Sequence, residues 1–507
     1  MRVRMAAALL HDPSIPPRKV HGAGVSPEGM GKPAEGSVAI PAPADAGDAR
    51  KWWALVSVAF GAFMAPLDSS IVNTVLPIIA HDFRADILLI EWVVLAYLLT
   101  LSSLLLIGGR LGDLLGDRRL YVSGFALFTV SSALCGASIG VATLIAARVL
   151  QAVGGAMLIA IGPAILTRAF PASQRGQALG IQASVVYIGL AVGPGLGGLI
   201  ASTLGWRWVF FINLPIGLVA IGVALSVLRT GGGRPAGGPF DFVGAATYMV
   251  TLFAFVLALS RGAAWGWESL GVVSAGSVSV AAAATFLWME WHSPHPFFDL
   301  RLFRHRLFAA ATLSALLNYM ASSTTAFLTP FFLIRGRQMT PAHAGSLLMA
   351  MPIIMAAVAP ASGWLSDRIG SRVPTVAGMT CLAAGMWLLA HLGPGAGDRQ
   401  IVLCLGLAGL GVGLFTSPNN SAIMGAVPQT SQGLASGLVA TARTLGMILG
   451  VAIPGSLFGA EVQQLLPVLG QESMAVNGAF RHALTIGAGI ALSGALTSLI
   501  RGKPVRT

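Results

Sequence analysis

One stretch of the chain decides its fold: Gly109-Arg-Leu-Gly-Asp-Leu-Leu-Gly-Asp-Arg118, which recurs 254 residues later as Gly363-Trp-Leu-Ser-Asp-Arg-Ile-Gly-Ser-Arg372. Both copies fit the pattern G-x-L-x-D-x-x-G-x-R, and each follows an apolar segment. A pattern repeated at this distance indicates two equivalent halves, an arrangement common among membrane folds.

Long apolar segments fill the chain on both sides of the two copies. Fourteen segments reach the length of about 20 residues that crosses a bilayer as a helix, and they are continuous instead of alternating, which favours helices over a barrel. Six segments belong to each half, so the segments at 241–260 and 268–289 are left over. We therefore predict an all-α integral membrane protein with 14 transmembrane helices, two six-helix bundles with two extra central helices. The segments lie near 52–80, 88–109, 119–139, 143–168, 178–203, 207–228, 241–260, 268–289, 308–333, 343–363, 373–392, 400–424, 433–459 and 480–500.

Composition agrees with a membrane protein. The chain of 507 residues is 55% hydrophobic and 10% charged, whereas a soluble globular protein carries about 25% charged residues. This difference excludes an ordinary soluble enzyme, a disordered chain and a fibrous protein. The net charge of +12 is compatible with a nucleic-acid partner or with basic cytoplasmic loops.

The positions of the basic residues separate these two interpretations. Along the predicted segments, 22 of the 31 Lys and Arg residues fall on the side of both termini and seven on the opposite side. This distribution predicts a multi-pass protein of the cell inner (plasma) membrane with both termini cytoplasmic. It also argues against nucleic acid as a partner, because no basic cluster stands apart from the membrane faces.

The predicted domain boundaries follow the segments. Residues 1–51, rich in Pro, Gly and Ala, predict a disordered cytoplasmic N-terminal tail, or a start site assigned too early. Residues 52–228 form the N-terminal six-helix bundle, 229–306 the two extra helices and a cytoplasmic linker, 307–500 the C-terminal six-helix bundle, and 501–507 a cytoplasmic tail. Arg outnumbers Lys 27 to 4, which indicates a bacterial genome rich in G and C.

Five motifs, in order along the chain, give a resemblance to a known family. They are residues 67–77, the two repeat loops, 148–156, 189–198 and 205–215. Together they resemble the major facilitator superfamily and, more narrowly, its fourteen-helix drug:proton antiporter branch (EmrB/QacA-like), over residues 52–500. The resemblance implies that the loops correspond to motif A, 148–156 to motif B and 189–198 to the antiporter motif C.

Three positions depart from the pattern of that branch. Leu114 and Asp117 replace basic residues that are common in the first loop, which weakens the charge relay implied there, although Asp113 and Arg118 remain. Ala152 replaces a glycine that is usual in motif B, which is a mild change.

Asp68 carries the clearest chemical signal. We identify it as the single acidic residue deep in an apolar segment, where an ionised carboxylate is costly and is usually functional. Low dielectric favours its neutral form, so the resemblance and the placement together predict proton coupling through Asp68 and Arg148. The alternatives are a structural carboxylate held by hydroxyls such as Ser69 and Ser70, and an Arg148 that extends to the membrane interface.

Polar residues on predicted helices 1, 4, 9 and 12 are candidates for a substrate cavity, because the resemblance implies that these helices line it. Hydrogen bonds between helices are the alternative fate of such residues. The candidates are Asn73, Gln151, Asn318, Tyr319, Asn419 and Asn420.

The repeat loops and motif C are candidates for gating. The loop aspartates can accept hydrogen bonds from a helix end, and the loop arginines can pair across the halves; fixing of topology is the alternative. Motif C places small residues four apart on one helix face and a proline kink beside them, which implies a seal that prevents leak. The loop residues are Gly109, Asp113, Gly116, Arg118, Gly363, Asp367, Arg368 and Gly370, and the motif C residues are Gly189, Gly193, Pro194, Gly197 and Gly198.

These observations predict a proton-coupled secondary transporter that exports hydrophobic or amphiphilic compounds by alternating access. The alternatives are a dedicated exporter of a single metabolite or antibiotic and a non-transporting membrane sensor with the same fold. The predicted partners are the lipid bilayer, small hydrophobic substrates and protons, and the chain is predicted to be a monomer. We predict no catalytic residues, no cofactor and no metal, because the sequence has no P-loop, no catalytic constellation and no ligand cluster.

Overall fold

A computed structural model of the protein describes residues 45–228, 242–292, 300–393, 395–427 and 432–500. The side chains of residues 106–115 lie outside this description. From Gly47 onward, the described residues belong to one compact unit. The predicted tails 1–51 and 501–507 fall largely outside the described residues, except that the first helix begins at Asp45, before the predicted boundary.

Every described regular element is helical. Short 3-10 turns at Ala172–Gln174 and Leu300–Arg304 and a π-helical turn at Phe332–Gly336 accompany the α-helices. The α-helices are α1 (Asp45–Asp82), α2 (Ile87–Ile90), α3 (Trp92–Leu115), α4 (Asp117–Gly136), α5 (Val141–Ala169), α6 (Arg175–Thr203), α7 (Trp208–Phe211), α8 (Asn213–Val227), α9 (Phe242–Trp265), α10 (Leu270–His292), α11 (Arg306–Phe331), α12 (Pro341–Leu348), α13 (Ala350–Ile369), α14 (Arg372–Ala390), α15 (Asp398–Gly425), α16 (Gln432–Leu469) and α17 (Glu472–Leu499).

Twelve helices among the described residues are long and apolar enough to cross a membrane. The prediction of fourteen is therefore not supported by length and hydropathy alone. The two helices that do not qualify are α9 and α11. In α9 the described apolar stretch is short, Ala246–Gly262, and α11 is 26 residues long but carries an asparagine and several serine and threonine hydroxyls that lower its hydropathy.

The two repeat loops have the same backbone geometry. Gly116 has φ 86° before α4, and Gly370 has φ 84° after α13, a left-handed conformation that glycine adopts without steric cost. Arg118 donates to the Leu225 carbonyl at the end of α8 over 2.7 Å, and Arg372 donates to the Leu499 carbonyl at the end of α17 over 2.5 Å. The sequence repeat is thus a structural repeat.

The halves pack together through α6 against α12 and α13, and through α2 and α3 against α16. Small residues permit both contacts: Gly198 lies against the Pro341 carbonyl, and Gly459 against Leu88. Both contacts lie at the end of the bundle where Trp206 donates to Asp82 over 2.9 Å. We call this the distal end, and the opposite end, where Arg50 donates to the Val227 carbonyl, the proximal end.

The extra helices α9 and α10 lie beside the contact between α3 and α16. Helix α9 packs on both of those helices, and α10 packs on α9. The indole of Trp92 on α3 donates to Ser260 of α9 over 3.1 Å, and Ser456 on α16 donates to the Leu259 carbonyl over 3.5 Å. Helix α9 therefore contacts both halves of the molecule.

Candidate functional site

Asp68 lies fully buried in the middle of α1 and accepts three side-chain hydrogen bonds. Arg148 Nη1 lies 2.5 Å from one carboxylate oxygen, while Gln151 Nε2 and Asn213 Nδ2 each lie 2.9 Å from the other. All four residues are at most 1% exposed. We call Asp68, Arg148, Gln151 and Asn213 the Asp68 cluster.

The side chain of Arg148 is held by contacts with Tyr97, Val93 and Gln151 as well as by Asp68. Its guanidinium stands 4.1 Å from the centroid of the Tyr97 ring, a cation–π distance. Its Nε donates to the Val93 carbonyl over 3.4 Å, and Nη1 also donates to Gln151 Oε1 over 2.5 Å. Arg148 and Gln151 are three residues apart, so they share one face of α5. The side chain of Arg148 therefore points into the helix bundle and does not take the alternative position at the membrane interface.

A second layer orients Gln151 from α4. Gln151 Nε2 donates to Ser132 Oγ over 2.7 Å, and the Cys135 thiol donates to Gln151 Oε1 over 3.7 Å. The arrangement joins α1, α3, α4, α5 and α8. Sequence analysis placed Asp68, Arg148 and Gln151 among the site residues but missed Asn213 and Tyr97, although Asn213 belongs to the motif at 205–215.

Electrostatics define what the cluster can do. The described contacts pair one carboxylate with one guanidinium, and two amides complete the hydrogen bonds of the carboxylate, so its ionised form is compensated in this conformation. A proton that neutralises Asp68 would leave Arg148 buried without its counterion. Removing one partner of a buried ion pair costs about 3–5 kcal/mol, which is enough to favour a different arrangement of helices.

Motif C brings α6 into close contact with α1. A Cβ on Gly189 would lie 2.7 Å from the Phe63 carbonyl, and one on Gly193 would lie 2.6 Å from Ser70. Gly197 faces Ile71 in the same way. Bulkier residues at these three positions would force the helices apart, as the small-residue pattern predicts.

The opposite face of motif C contacts the other half. Gly198 meets Pro341 at the start of α12, and the carbonyl of Pro194 lies against Gly345. Helix α6 is therefore held between α1, which carries Asp68, and the C-terminal half. Ser70, which sequence analysis considered as a partner of Asp68, instead donates to the Leu190 carbonyl over 3.0 Å.

The gating loops are described only in part. The side chain of Asp113 and the surroundings of Gly109 are not described. Asp367 is exposed, and the Arg368 guanidinium stacks 3.9 Å from the Trp364 ring centroid. In this conformation the described bonds of Arg118 and Arg372 stay within their own halves, so their pairing across the halves stays a prediction. Asp117 instead pairs with Arg168 at the end of α5.

The structure does not gather the six substrate candidates. Gln151 belongs to the Asp68 cluster, whereas Asn318 donates to Met379 Sδ over 3.2 Å and Asn419 donates to the Ala311 carbonyl over 3.2 Å. These two amides link helices inside the C-terminal half, which is the alternative that sequence analysis left open. The other three candidates are Asn73 and Tyr319, which are half-buried, and Asn420, which is exposed.

Asp68 is not the only buried acid. Glu91, between α2 and α3, is fully buried, and Glu290 of α10 is 4% exposed. Neither residue lies deep in a predicted apolar segment, because Glu91 is near the start of 88–109 and Glu290 follows 268–289, so neither was singled out. Glu91 lies inside the predicted segment 88–109, so its charge was visible in the sequence, and its apolar neighbours were the signal of its burial.

Comparison with known proteins identifies the family. The model of the Major Facilitator Superfamily matches residues 58–451. The chain belongs to the major facilitator superfamily. It is 35% identical over 412 residues to the riboflavin transporter RibZ of Clostridioides difficile, with 81% of this chain and 88% of that protein aligned. It is 34% identical over 407 residues to the multidrug resistance protein Stp of Mycobacterium tuberculosis, with 80% of this chain and 75% of that protein aligned.

A solved structure shares the fold. It is the inward-facing, unoccupied form of a bacterial homologue of the human lysosomal transporter Spinster, with a TM-score of 0.65, 15% identity, and 90% of this chain and 99% of that chain covered. The superfamily member described here is thus a multi-pass protein of the bacterial inner membrane. It is a transporter of small molecules and not an enzyme.

Proposed function

We propose that this transporter is a proton-coupled exporter of hydrophobic or amphiphilic compounds. The observation that carries the proposal is the ion pair of Asp68 and Arg148, buried among five helices and supplied with two further donors. A buried ion pair whose carboxylate can be neutralised by one proton has two charge states, and each favours its own helix arrangement.

The proposed cycle begins with the distal end open. A proton reaches Asp68 and neutralises it, so Arg148 loses its counterion and the helices around the cluster rearrange toward the form closed at the distal end. With the proximal end open, the proton leaves, the ion pair of Asp68 and Arg148 forms again, and substrate binds. Return of the loaded protein to the distally open state releases the compound. With cytoplasmic termini, the proximal end faces the cytoplasm and this direction is export.

Fourteen transmembrane helices fit this proposal. Helices α9 and α11 add two long helices to the twelve that qualify by hydropathy. Helix α11 packs on α16 and α17 as a full member of the C-terminal half, and buried partners such as the bond from Thr324 to the Gly450 carbonyl satisfy its polar side chains. The motifs and this count favour the drug:proton antiporter branch.

The charge of the cluster points to a class of substrate. In the ionised state, the one carboxylate is already paired with Arg148, and the surrounding helices are apolar. Neutral or singly charged amphiphiles suit such a surface better than cations of higher charge. The relationship to a protein named for multidrug resistance supports broad specificity.

A dedicated transporter of one compound is the second candidate. A relative named as a riboflavin transporter favours it, because this chain is 35% identical to that protein and 34% identical to the multidrug relative. Growth of an efflux-deficient host that expresses the protein, against a panel of chemically diverse toxic compounds, separates the two: protection against several unrelated classes supports multidrug export, and protection against one supports the dedicated transporter.

Everted membrane vesicles test the coupling. Vesicles energised by a proton gradient are expected to accumulate a singly charged fluorescent dye, and Asp68→Asn is expected to abolish the accumulation at equal protein level. Asp82→Asn is the matched control on the same helix, because Asp82 is exposed and pairs with Arg207 at the surface. Full activity of Asp68→Asn, or equal loss in both variants, would contradict the proposal.

A further inference from the structure

Glu91 occupies a position that the proposed cycle does not use. It lies at the distal end, where α2 and α3 of the N-terminal half meet α9 and α16. Its side chain is fully buried. One oxygen, Oε1, accepts a hydrogen bond from Ser260 of α9, and Ser260 in turn accepts one from the indole of Trp92.

The other carboxyl oxygen is in an apolar setting. Oε2 has no hydrogen-bond partner among the described residues, and it lies against Gly455 of α16, whose missing side chain provides the space. Phe327 of α11 borders the same glycine. Glu91 therefore reaches from one half of the molecule into the surface of the other.

The charged groups near Glu91 do not form a counterion for it. Arg261 on α9 and Asp86 before α2 act on it only through their fields, with opposite signs, and neither contacts it. The facing stretch of α16 offers Gly455 and Ser456, and Ser456 donates to the Ala452 carbonyl of its own helix over 2.6 Å. An ionised carboxylate with one hydrogen bond in such a place is costly.

The two buried carboxylates thus have opposite surroundings. Asp68 has a guanidinium and two amides, which suit its charged form, whereas Glu91 has one hydroxyl, which suits its neutral form. Pairs of acids whose surroundings separate their protonation states can divide two tasks between them. The sites are also connected, because Val93, two residues after Glu91, provides the carbonyl that holds Arg148.

We propose that Glu91 is a second proton-binding site, occupied when the distal end is closed and emptied when it opens. The proton makes Glu91 neutral, so that it fits against Gly455 of the opposite half. When the distal end separates, water reaches the carboxylate and the proton is released. The bound proton therefore stabilises the closed interface, and rising pH favours its opening.

This inference rests on the alternating access of the proposed function, and its test needs neither substrate nor a proton gradient. Two spin labels report the distance between the halves, one at exposed Ser202 on α6 and one at exposed Gln464 on α16, with the three native cysteines replaced by alanine. In reconstituted Asp68→Asn protein, where a proton on Asp68 cannot contribute, the ratio of the population at the distally closed distance to that at the distally open distance is expected to fall as pH rises. The fall is up to about tenfold per pH unit, the limit for one proton.

Three variants show whether Glu91 causes the pH response of the distance between the labels. Glu91→Gln fixes the neutral shape of this side chain, and in the same Asp68→Asn background it is expected to keep the closed distance at all pH values. Ser260→Ala removes the one hydrogen bond to the charged form and is expected to shift the midpoint of opening to higher pH. Ser103→Ala, which removes a buried hydroxyl that donates to the Leu99 carbonyl of its own helix α3, is expected to leave the midpoint unchanged. A pH response of Glu91→Gln equal to that of its Asp68→Asn parent would overturn the inference.

The variant Asp68→Asn distinguishes a failure of the proposed proton-coupled export from a failure of the inference about Glu91. With this variant, the distance between the labels is expected to keep the pH response that Glu91 causes, even though coupled export is lost. Export that persists in Asp68→Asn contradicts the proposed function and leaves the Glu91 result standing. A pH response that disappears in Asp68→Asn and persists in Glu91→Gln overturns the inference about Glu91.

Discussion

The hydroxyl of Ser70 on α1 donates to the carbonyl of Leu190 on α6 over 3.0 Å. This carbonyl needs a partner because Pro194, four residues later, has no N–H to offer it. The proline that bends α6 therefore also provides an attachment point for the helix that carries Asp68. The contact of motif C with α1 is a hydrogen bond as well as a close approach of small residues.

Replacing Ser70 by alanine is expected to weaken this attachment. A buried carbonyl without a partner costs about 1–3 kcal/mol, so the thermal unfolding midpoint of the purified protein should fall. Ser184→Ala is the matched control on α6, because that exposed hydroxyl donates to the Gly180 carbonyl of its own helix. Equal midpoints for the two variants would show that the Ser70 bond contributes nothing.

Gly193→Ala is expected to reduce stability and export together. Its new Cβ would lie 2.6 Å from Ser70, which is too close, so α1 and α6 must separate. Gly180→Ala in the same helix meets nothing within 4 Å and gains helix propensity of about 1 kcal/mol. Dye accumulation and the unfolding midpoint should therefore fall in Gly193→Ala, and in Gly180→Ala they should stay the same or rise. Equal losses in the two variants would refute the steric argument.

The ion pair of Asp68 and Arg148 predicts how the free energy of unfolding differs among the wild type, the two single variants and the double variant. Arg148→Gln alone leaves Asp68 buried without its countercharge and is expected to lose about 3–5 kcal/mol. The double variant Asp68→Asn with Arg148→Gln removes both charges and should regain part of this stability, while export stays absent. A double-variant cycle of unfolding free energies measures the coupling between the residues. Strictly additive losses would indicate that the two charges do not act as a pair.

Arg118 and Arg372 are expected to behave alike. Each donates to a carbonyl in the last turns of a helix of its own half, where a cation is favourable by about 0.3–1 kcal/mol. Alanine at either position should lower the unfolding midpoint by a similar amount, and the double variant should show the sum. Arg119→Ala, which removes an exposed neighbour, should have little effect. A large difference between Arg118 and Arg372 would contradict their equivalence.

Sequence alone established the helical repeat and part of the site. The loop pattern located Gly116 and Gly370, whose backbone angles are nearly equal, because the pattern records a local conformation. The spacing of Arg148 and Gln151 placed them on one face for the same reason. Local patterns of this kind depend on few neighbours along the chain.

Contacts between distant helices were harder to predict. Asn213 reaches Asp68 from α8, and Glu91 reaches Gly455 across the two halves, so neither partner follows from spacing along the chain. The loop arginines were expected to pair across the halves, but their partners depend on the conformation of the bundle. The hydroxyl groups that lower the hydropathy of α11 bond within the bundle, as Thr324 does to the Gly450 carbonyl, and such partners on other helices do not follow from composition.

The position of α9 makes the two contacts between the halves unequal. Two seams join the halves: one between α3 and α16, the other between α6 and the helices α12 and α13. Helix α9 covers the first, held by Ser260 on one side and by its Leu259 carbonyl on the other. The seam between α3 and α16 is thus backed by a helix that bonds to both halves, so separating the halves there also has to move α9 away from one of its two neighbours.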